Sequence, residues 1–347
     1  MFYRRLVIAS WNIVKYNILS SSGGPELYGT EPWTFYFRNL LLNFNIWFIL
    51  AMIAGPLFLV QKLMTIRTQG FGSGLRTLVF LSPFYLWLAI FSLQPHKEER
   101  FMYPAYPLLV LNAAIATHSV LVASGHVLHG KTMAYIKLGA FAMVLLLSVV
   151  VSIARVYGVW SAYSAPLYLY QPLWQGSVSS QYNDTVCYGK EWYRFPSSYF
   201  LPNNMHAKFV RSEFRGLLPG EFDETGDGWD IRSGTHLPTR GLNDRNEEAA
   251  STYVALDSCQ YHVDTQYPDR NGVLPPNEPD YVAAEERWEV VKCTPFLDAA
   301  RTPTVARMVW TPDLAFLPDS MRRRWGWHCL LRRKDKAELG NIGAHHS

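Results

Sequence analysis

Charged side chains are missing from four long stretches of this 347-residue sequence. Residues 39–61, 77–95, 104–124 and 138–154 contain no Asp, Glu, Lys or Arg. A helix that crosses a bilayer needs about 20 predominantly apolar residues, and roughly 17 are the lower limit. The absence of charge therefore predicts four membrane-spanning helices at these positions. The alternative is a set of helices buried in a soluble core, but such helices normally keep a polar face, and the last stretch has almost none.

Several site classes are also poorly represented. No two cysteines are spaced as Cys-x-x-Cys, which argues against a zinc site. Neither an Asp-x-Asp motif nor a cluster of histidines occurs in the loops that carry the polar residues, so the sequence offers no metal ligands from which metal dependence can be argued, and it indicates no cofactor. Basic patches interleaved with aromatic residues are lacking as well, which argues against nucleic acid as a partner.

Composition changes near residue 155. Residues 1–155 are apolar and aromatic, whereas residues 156–347 carry most of the carboxylates and prolines. We predict an interfacial loop over 1–38, a membrane domain over 39–155 and a globular domain over 156–347. In the last of these, residues 259–264 alternate apolar and polar side chains, which predicts a half-buried strand, and 297–308 could form a short helix broken by Pro303.

The distribution of basic residues predicts the orientation in the membrane. The loops after the first and third predicted spans are the ones rich in Lys and Arg, and such loops face the cytosol; they carry Lys62, Arg67, Arg76, Lys131 and Lys137. Both termini and residues 94–103 then lie on the opposite, lumenal side. The sequon at Asn183 agrees with a lumenal position and predicts glycosylation there. An oxidising lumen would permit one or two disulfides, although four unpaired thiols are an equal alternative; the cysteines are Cys187, Cys259, Cys293 and Cys329.

Residues 94–103 are the most informative segment, and they read Gln-Pro-His-Lys-Glu-Glu-Arg-Phe-Met-Tyr. Five ionisable side chains lie between two apolar runs, as expected where a chain leaves the bilayer and turns back. Residues 21–33 form a second loop, rich in Gly and Pro, in which Glu26 and Glu31 lie among aromatic residues. This second loop is either an interfacial anchor or a pocket that meets a polar substrate beside the bilayer.

Both loops carry a family resemblance. Residues 96–101, His-Lys-Glu-Glu-Arg-Phe, resemble the signature loop of the multispanning mannosyltransferases of the endoplasmic reticulum that use dolichyl phosphate mannose (glycosyltransferase family 22). Residues 27–33, Leu-Tyr-Gly-Thr-Glu-Pro-Trp, are similar to that family's Tyr-Gly-Thr-x-Pro-Trp loop. Further segments resemble its alpha-1,2-mannosyltransferase branch: residues 11–17, 187–198, 212–219 and 242–248.

The resemblance implies an α-helical polytopic membrane protein of the GT-C-like class, in part, with a C-terminal mixed α/β lumenal domain. The implied reaction transfers mannose from dolichyl phosphate mannose to a dolichol-linked oligosaccharide, in alpha-1,2 linkage, during N-glycosylation. The implied partners are these two lipids and the membrane of the endoplasmic reticulum, which the chain would cross several times. The matches correspond to the C-terminal part of the family's enzymes. The family's acidic pair has no match here, so we expect the catalytic base upstream of Met1.

The resemblance also implies which residues bind the donor. We expect the cations to serve the phosphate and the neighbouring groups to orient them or bind sugar hydroxyls; the set is His96, Lys97, Glu98, Glu99, Arg100, Tyr28, Thr30, Glu31 and Trp33. On residues alone, the charged cluster could instead be a self-neutralised, solvated loop. Two other functions stay open, a non-catalytic membrane anchor with a lumenal glycan-binding domain and a transporter whose path would use Asn43, Asn45, Asn112 and His118.

Overall fold

The computed structural model describes residues 6–15, 25–65, 71–127, 130–176, 184–220, 243, 245–268 and 274–334. It contains two compact units, each with its own hydrophobic core. The membrane unit comprises residues 10–153, and the C-terminal unit comprises residues 154–347 together with residues 1–9.

Helices make up the membrane unit. They are α1 (Ala9–Val14), α2 (Phe35–Phe44), α3 (Ile46–Thr65), α4 (Phe71–Leu93), α5 (Tyr106–Val127) and α6 (Lys131–Tyr163), of which the last continues into the C-terminal unit. Four of them, α3 to α6, are long and apolar enough to cross a membrane. This confirms the prediction of four long apolar helices.

Helix α6 shows why a soluble core does not suit these helices. Every side chain between Leu138 and Ile153 is exposed or half-buried, although nearly all are apolar. Apolar side chains on all faces of a helix, with none of them packed inside the protein, are typical of a helix whose solvent is lipid.

The first apolar stretch is divided, which differs from the single helix predicted over 39–61. Asn45 has φ 45° and ends α2 with a hydrogen bond from its backbone N–H to the carbonyl oxygen of Leu41. Its side-chain oxygen then accepts the N–H of Ile46, the first residue of α3, at 2.8 Å, and so satisfies one of the N–H groups that a helix start leaves without an intrahelical partner. Asn tolerates a positive φ better than most residues do, so Asn45 can both end α2 and precede the start of α3. The helix long enough to span begins at Ile46.

Small residues let α3 and α5 approach each other closely. Ala51 and Ala54 on α3 are buried, as are Ala113 and Ala116 on α5. Such residues are common where membrane helices pack, because apolar burial gives little net driving force in lipid and close van der Waals contact is needed. These packed helices support the loop that joins α4 to α5.

A mixed five-stranded sheet organises the C-terminal unit, as the predicted α/β domain requires. Its strands are β1 (Asp184–Tyr188), β2 (Met205–Phe209), β3 (Tyr261–Gln266), β4 (Trp288–Leu297) and β5 (Trp325–Arg333), in the order β2-β1-β3-β5-β4. The first three strands are parallel to one another, and β5 pairs antiparallel with both β3 and β4. Short helices α7 (Ala165–Tyr168), α8 (Gln171–Trp174) and α9 (Thr304–Met308) complete the described unit.

Two expectations for this unit were wrong in detail. Strand β3 is buried on both faces and not on one, because it is the central strand of the sheet. Two of its polar side chains find partners inside: the Thr265 hydroxyl lies 2.7 Å from Nδ1 of His328, and an Asp264 carboxylate oxygen lies 2.9 Å from the Lys190 ammonium. The helix expected over 297–308 is confined to Thr304–Met308, because β4 continues to Leu297. Pro303 precedes that helix and does not break it, in keeping with the fixed φ of proline at a helix start.

All four cysteines form disulfides. Cys187 pairs with Cys259 and so ties β1 to the entry of β3, while Cys293 pairs with Cys329 across the neighbouring strands β4 and β5. The two alternatives left by the sequence are thereby decided in favour of two disulfides. The pairs join residues 72 and 36 positions apart, respectively.

We expect that replacing Cys187 and Cys259 together by serine destabilises the C-terminal unit more than replacing Cys293 and Cys329 together. A cross-link restricts the unfolded chain by about 4 kcal/mol for loops of this size, and doubling the loop adds about 0.6 kcal/mol. Thermal unfolding of the full chain in lipid nanodiscs measures both losses. A larger loss for the second pair, or none for either, would contradict this prediction.

Candidate functional site

The charged loop (residues 94–103) is a folded element and not a solvated tether. Its second half forms a 3₁₀ helix over Glu99–Ala105, in which Met102 and Ala105 are buried in the core of the membrane unit. The indole N–H of Trp87 on α4 donates to the carbonyl oxygen of Phe101 at 2.9 Å. The loop therefore has a fixed backbone from which the charged side chains project.

The glycine loop (residues 25–34) is joined to the charged loop by backbone carbonyls. The N–H of Glu31 donates to the carbonyl oxygen of Pro95 at 3.0 Å. Nδ1 of His96 lies 2.9 Å from the carbonyl oxygen of Gly29, and the Lys97 ammonium lies 2.7 Å from that of Glu31. Two segments more than sixty residues apart in sequence thus form one surface.

Gly29 makes this junction possible. Its φ is +96°, a region that strains any residue with a side chain. This conformation accompanies the tight turn that presents the Gly29 carbonyl oxygen to His96. The Tyr28 ring lies beside the imidazole, with 6.1 Å between ring centroids.

Arg100 and Glu98 form a two-pronged ion pair. Arg100 Nε lies 2.6 Å from one carboxylate oxygen and Nη2 lies 2.7 Å from the other. Burial tends to raise the pKa of Glu98, but the hydrogen bonds and charges of His96 and Arg100 outweigh it and lower the pKa. The carboxylate is therefore ionised, and its two contacts fix the orientation of the Arg100 guanidinium. Arg100 remains 67% exposed, with N–H groups left over for an anion.

Lys97 differs from Arg100 in where its charge lies. The Lys97 side chain is buried, and its ammonium also contacts the carbonyl oxygen of Gln94, at 2.5 Å. One of its three donors thus reaches Glu31 on the glycine loop, and another contacts Gln94 within the charged loop itself. The sequence grouped Lys97 with Arg100 as phosphate ligands, whereas the geometry gives Lys97 an internal position and leaves Arg100 on the surface.

Five other expected site residues lie at the surface, as Arg100 does. Tyr28, Thr30, Glu31 and Trp33 are exposed on the glycine loop. Glu99 is also exposed, but one of its carboxylate oxygens accepts the Asn43 amide at 2.9 Å.

Sequence reasoning missed two supports from α2. Asn43 was considered only as part of a transport path, yet it positions Glu99. The Tyr36 hydroxyl donates to the backbone carbonyl oxygen of Glu98 at 3.1 Å, and its side chain is fully buried. A polar amide within an apolar stretch was the only available signal for such a role. Asn112, another residue of that path, is buried and donates to the carbonyl oxygen of Leu81.

The C-terminal unit has a separate candidate site. A cavity of about 720 Å³ opens beside the sheet. It is lined by aromatic, amide and charged side chains, among them Trp192, Tyr193, Phe214, Gln266, Tyr267 and Asp280. A second, more apolar cavity of about 660 Å³ shares Tyr193, Arg194 and Tyr267 with it.

Buried charges stiffen the wall of the 720 Å³ cavity. Arg194 Nη1 donates to both carboxylate oxygens of Glu191, at 2.8 and 2.6 Å, and its guanidinium lies over the rings of Tyr193 and Phe296. Nearby, burial raises the pKa of Asp264 to about 6 against the opposing effect of the Lys190 ammonium, 2.9 Å away.

Two other expectations concern ligands and modification. Within the ranges that the structure describes, no group of three or more His, Cys, Asp or Glu side chains is arranged to hold a metal ion. Asn183 lies outside the described residues.

Comparison with known proteins gives one family. A model of the Alg9-like mannosyltransferase family matches residues 1–202. The chain is 37% identical to the alpha-1,2-mannosyltransferase alg9 of Schizosaccharomyces pombe over 99% of its own length and 58% of that protein. It is equally similar to the alpha-1,2-mannosyltransferase ALG9 of Mus musculus (99% of this chain, 55% of that protein) and of Homo sapiens (96% and 54%). The chain thus spans a little over half the length of these relatives, and no solved structure gives a significant match.

The junction of the two loops generates a prediction that separates Lys97 from Arg100. Replacing Lys97 with Met removes the donor to two carbonyl oxygens, at a cost of about 1–3 kcal/mol for each acceptor left buried and unpaired. We expect faster amide hydrogen exchange over residues 26–33 and 95–101. Arg100→Ala is the matched control, because this side chain projects outward, and it should leave exchange of the glycine loop unchanged. The internal role of Lys97 is wrong if both variants loosen the loops equally.

Proposed function

Because the chain belongs to the Alg9-like mannosyltransferase family, we propose that it serves to transfer mannose from dolichyl phosphate mannose to a dolichol-linked oligosaccharide. The linkage formed is alpha-1,2, the linkage in the names of its relatives. We further propose that the chain crosses the membrane of the endoplasmic reticulum several times, with the charged loop and the C-terminal unit in the lumen.

The exposed guanidinium of Arg100 supports this proposal best. When the bond between the anomeric carbon of mannose and the phosphate oxygen breaks, negative charge accumulates on the departing dolichyl phosphate. A planar, permanently charged fork suits two phosphate oxygens. Glu98 orients that fork before substrate arrives, so little reorganisation is needed as the charge develops.

The remaining site residues have distinct roles in this scheme. Lys97 and His96 hold the glycine loop against the charged loop, and Lys97 adds positive charge near Arg100. Thr30, Glu31 and Glu99 offer polar groups to the sugar hydroxyls. The exposed rings of Tyr28 and Trp33 suit the boundary between lipid and water, where the donor's isoprenoid tail must enter.

Acceptor activation needs a general base, because the acceptor hydroxyl loses its proton as the new bond to the anomeric carbon forms. A well-placed base contributes roughly 100- to 10,000-fold in rate. None of the described carboxylates is assigned this role.

Arg100→Ala tests the donor-phosphate role. Loss of one charged donor to a developing anion costs on the order of 3 kcal/mol, so we expect mannose transfer to fall about 100-fold at saturating donor. The assay follows labelled mannose from dolichyl phosphate mannose into lipid-linked oligosaccharide in membranes containing the protein. Arg245→Ala, an exposed arginine of the C-terminal unit, is the control. If the Arg100→Ala variant transfers mannose at an unchanged rate, Arg100 does not serve the donor phosphate.

The 720 Å³ cavity favours a second function, a lumenal glycan-binding domain on a membrane anchor. A pyranose ring has a C–H face that packs on aromatic rings and an edge of hydroxyls that needs polar partners. The cavity offers both, with Tyr193 59% exposed and Gln266 hydrogen-bonded to Asp280 at 2.9 Å. In a transferase, the same cavity would hold the acceptor glycan.

Binding of a soluble, mannose-rich oligosaccharide separates these functions. We expect Tyr193→Ala to weaken binding about tenfold, because one aromatic contact is worth about 1 kcal/mol or slightly more. Tyr199→Ala, also a highly exposed tyrosine but outside the cavity lining, is the control. If the intact chain binds the oligosaccharide but transfers no mannose, the result supports the membrane anchor. If it does not measurably bind the oligosaccharide, the cavity is a glycan site in neither the anchor nor the transferase.

A further inference from the structure

The segment of residues 304–323 wraps the C-terminal end of helix α6. The N–H of Trp310 donates to the carbonyl oxygen of Ala154 at 3.0 Å. One residue further along the helix, Arg155 Nη1 donates to the carbonyl oxygen of Met308 at 3.1 Å. We call residues 304–323 the collar segment. The two hydrogen bonds fix its position along the axis of α6.

A buried arginine strengthens the attachment. Arg323 donates to the carbonyl oxygen of Gly158 at 3.2 Å and to the Ser161 hydroxyl at 2.8 Å, and it is only 7% exposed. A side chain at position 158 would clash, because its Cβ would lie 2.9 Å from both Arg323 Nη2 and the backbone nitrogen of Trp310. The collar segment therefore cannot shift along α6 without losing several contacts together.

The collar segment contacts α6 at the level where the charge-free stretch of the helix ends. Residues 138–154 carry no charge, and Arg155 is the first ionisable residue after them. In a spanning helix such a transition lies at the edge of the hydrocarbon, where arginine reaches the headgroups. The backbone of Met308 and Trp310 is therefore at that edge.

The collar segment itself exposes several large apolar side chains. Phe316 is 80% exposed, and the others are between about two-fifths and one-half exposed: Val305, Met308, Trp310, Leu314 and Met321. Residues 301–324 also contain five arginines against two aspartates. Large apolar side chains, a Trp and an excess of arginine are the composition of segments that lie in the headgroup layer.

We propose that the collar segment is a lipid contact, whose apolar side chains enter the boundary between headgroups and acyl chains of the bilayer that α6 crosses. Arg307 and its neighbours face the lipid phosphates. The inference does not depend on mannose transfer, since it rests on the register between α6 and the collar segment. It identifies the exposed Phe316 and Leu314 as side chains that enter the lipid.

Site-directed spin labelling measures this depth directly. All four native cysteines are in disulfides, so Phe316→Cys or Leu314→Cys supplies a single free thiol in the full chain. Glu286→Cys, at an exposed site in an acidic surface run, is the matched control. Power saturation in lipid nanodiscs compares collisions of each label with oxygen, which concentrates in lipid, and with a water-soluble nickel complex.

We expect labels at 316 and 314 to collide with oxygen several-fold more often than with nickel, and the label at 286 to show the reverse. Nickel collisions at 316 and 314 equal to those at 286 would overturn the proposal. So would protection from both reagents, which would indicate a protein partner on this surface. The two collar positions are independent, so failure of one variant to fold leaves the other to decide.

Discussion

The junction between the charged loop and the glycine loop is the constraint on which the candidate site depends. Its central contact is the buried Lys97 ammonium, which lies on the carbonyl oxygens of Glu31 and Gln94. A buried ammonium is costly unless its donors are engaged, and here its partners are backbone atoms from both loops. Loss of this contact would leave the loops joined only through the Glu31 N–H to Pro95 and the His96 to Gly29 contacts, and would loosen the surface on which Arg100, Tyr28 and Trp33 lie.

The same principle, that buried polar groups need partners, organises the rest of the protein. In the membrane unit, Asn45 satisfies the end of one helix and the start of the next. In the C-terminal unit, Arg323 fixes the collar segment to α6, and Glu191 holds Arg194 beside the 720 Å³ cavity. Apolar surface is left outward on α6 and on the collar segment, where lipid can cover it.

The sequence predicted more of the fold than of the site. Absence of charge was sufficient to find four apolar helices, because one charge in hydrocarbon is expensive. It did not find the break at Asn45, because a single polar residue barely changes the hydropathy of a long stretch. Strand β3 was placed correctly but read as half-buried, since the partners of Asp264 and Thr265 come from distant residues, Lys190 and His328. The charged loop was recognised, but the division between an internal Lys97 and an external Arg100 depends on the fold of a segment sixty residues earlier.

Crosslinking with a photoreactive isoprenoid phosphate tests most directly whether the charged loop binds the donor. The protein is irradiated in lipid nanodiscs with a dolichyl phosphate analogue whose photoreactive group lies next to the phosphate, and the modified peptides are identified by mass spectrometry. The account predicts crosslinks within residues 94–106 and on the glycine loop, suppressed by excess dolichyl phosphate. Crosslinks confined to other parts of the chain, or insensitive to that competitor, would contradict it.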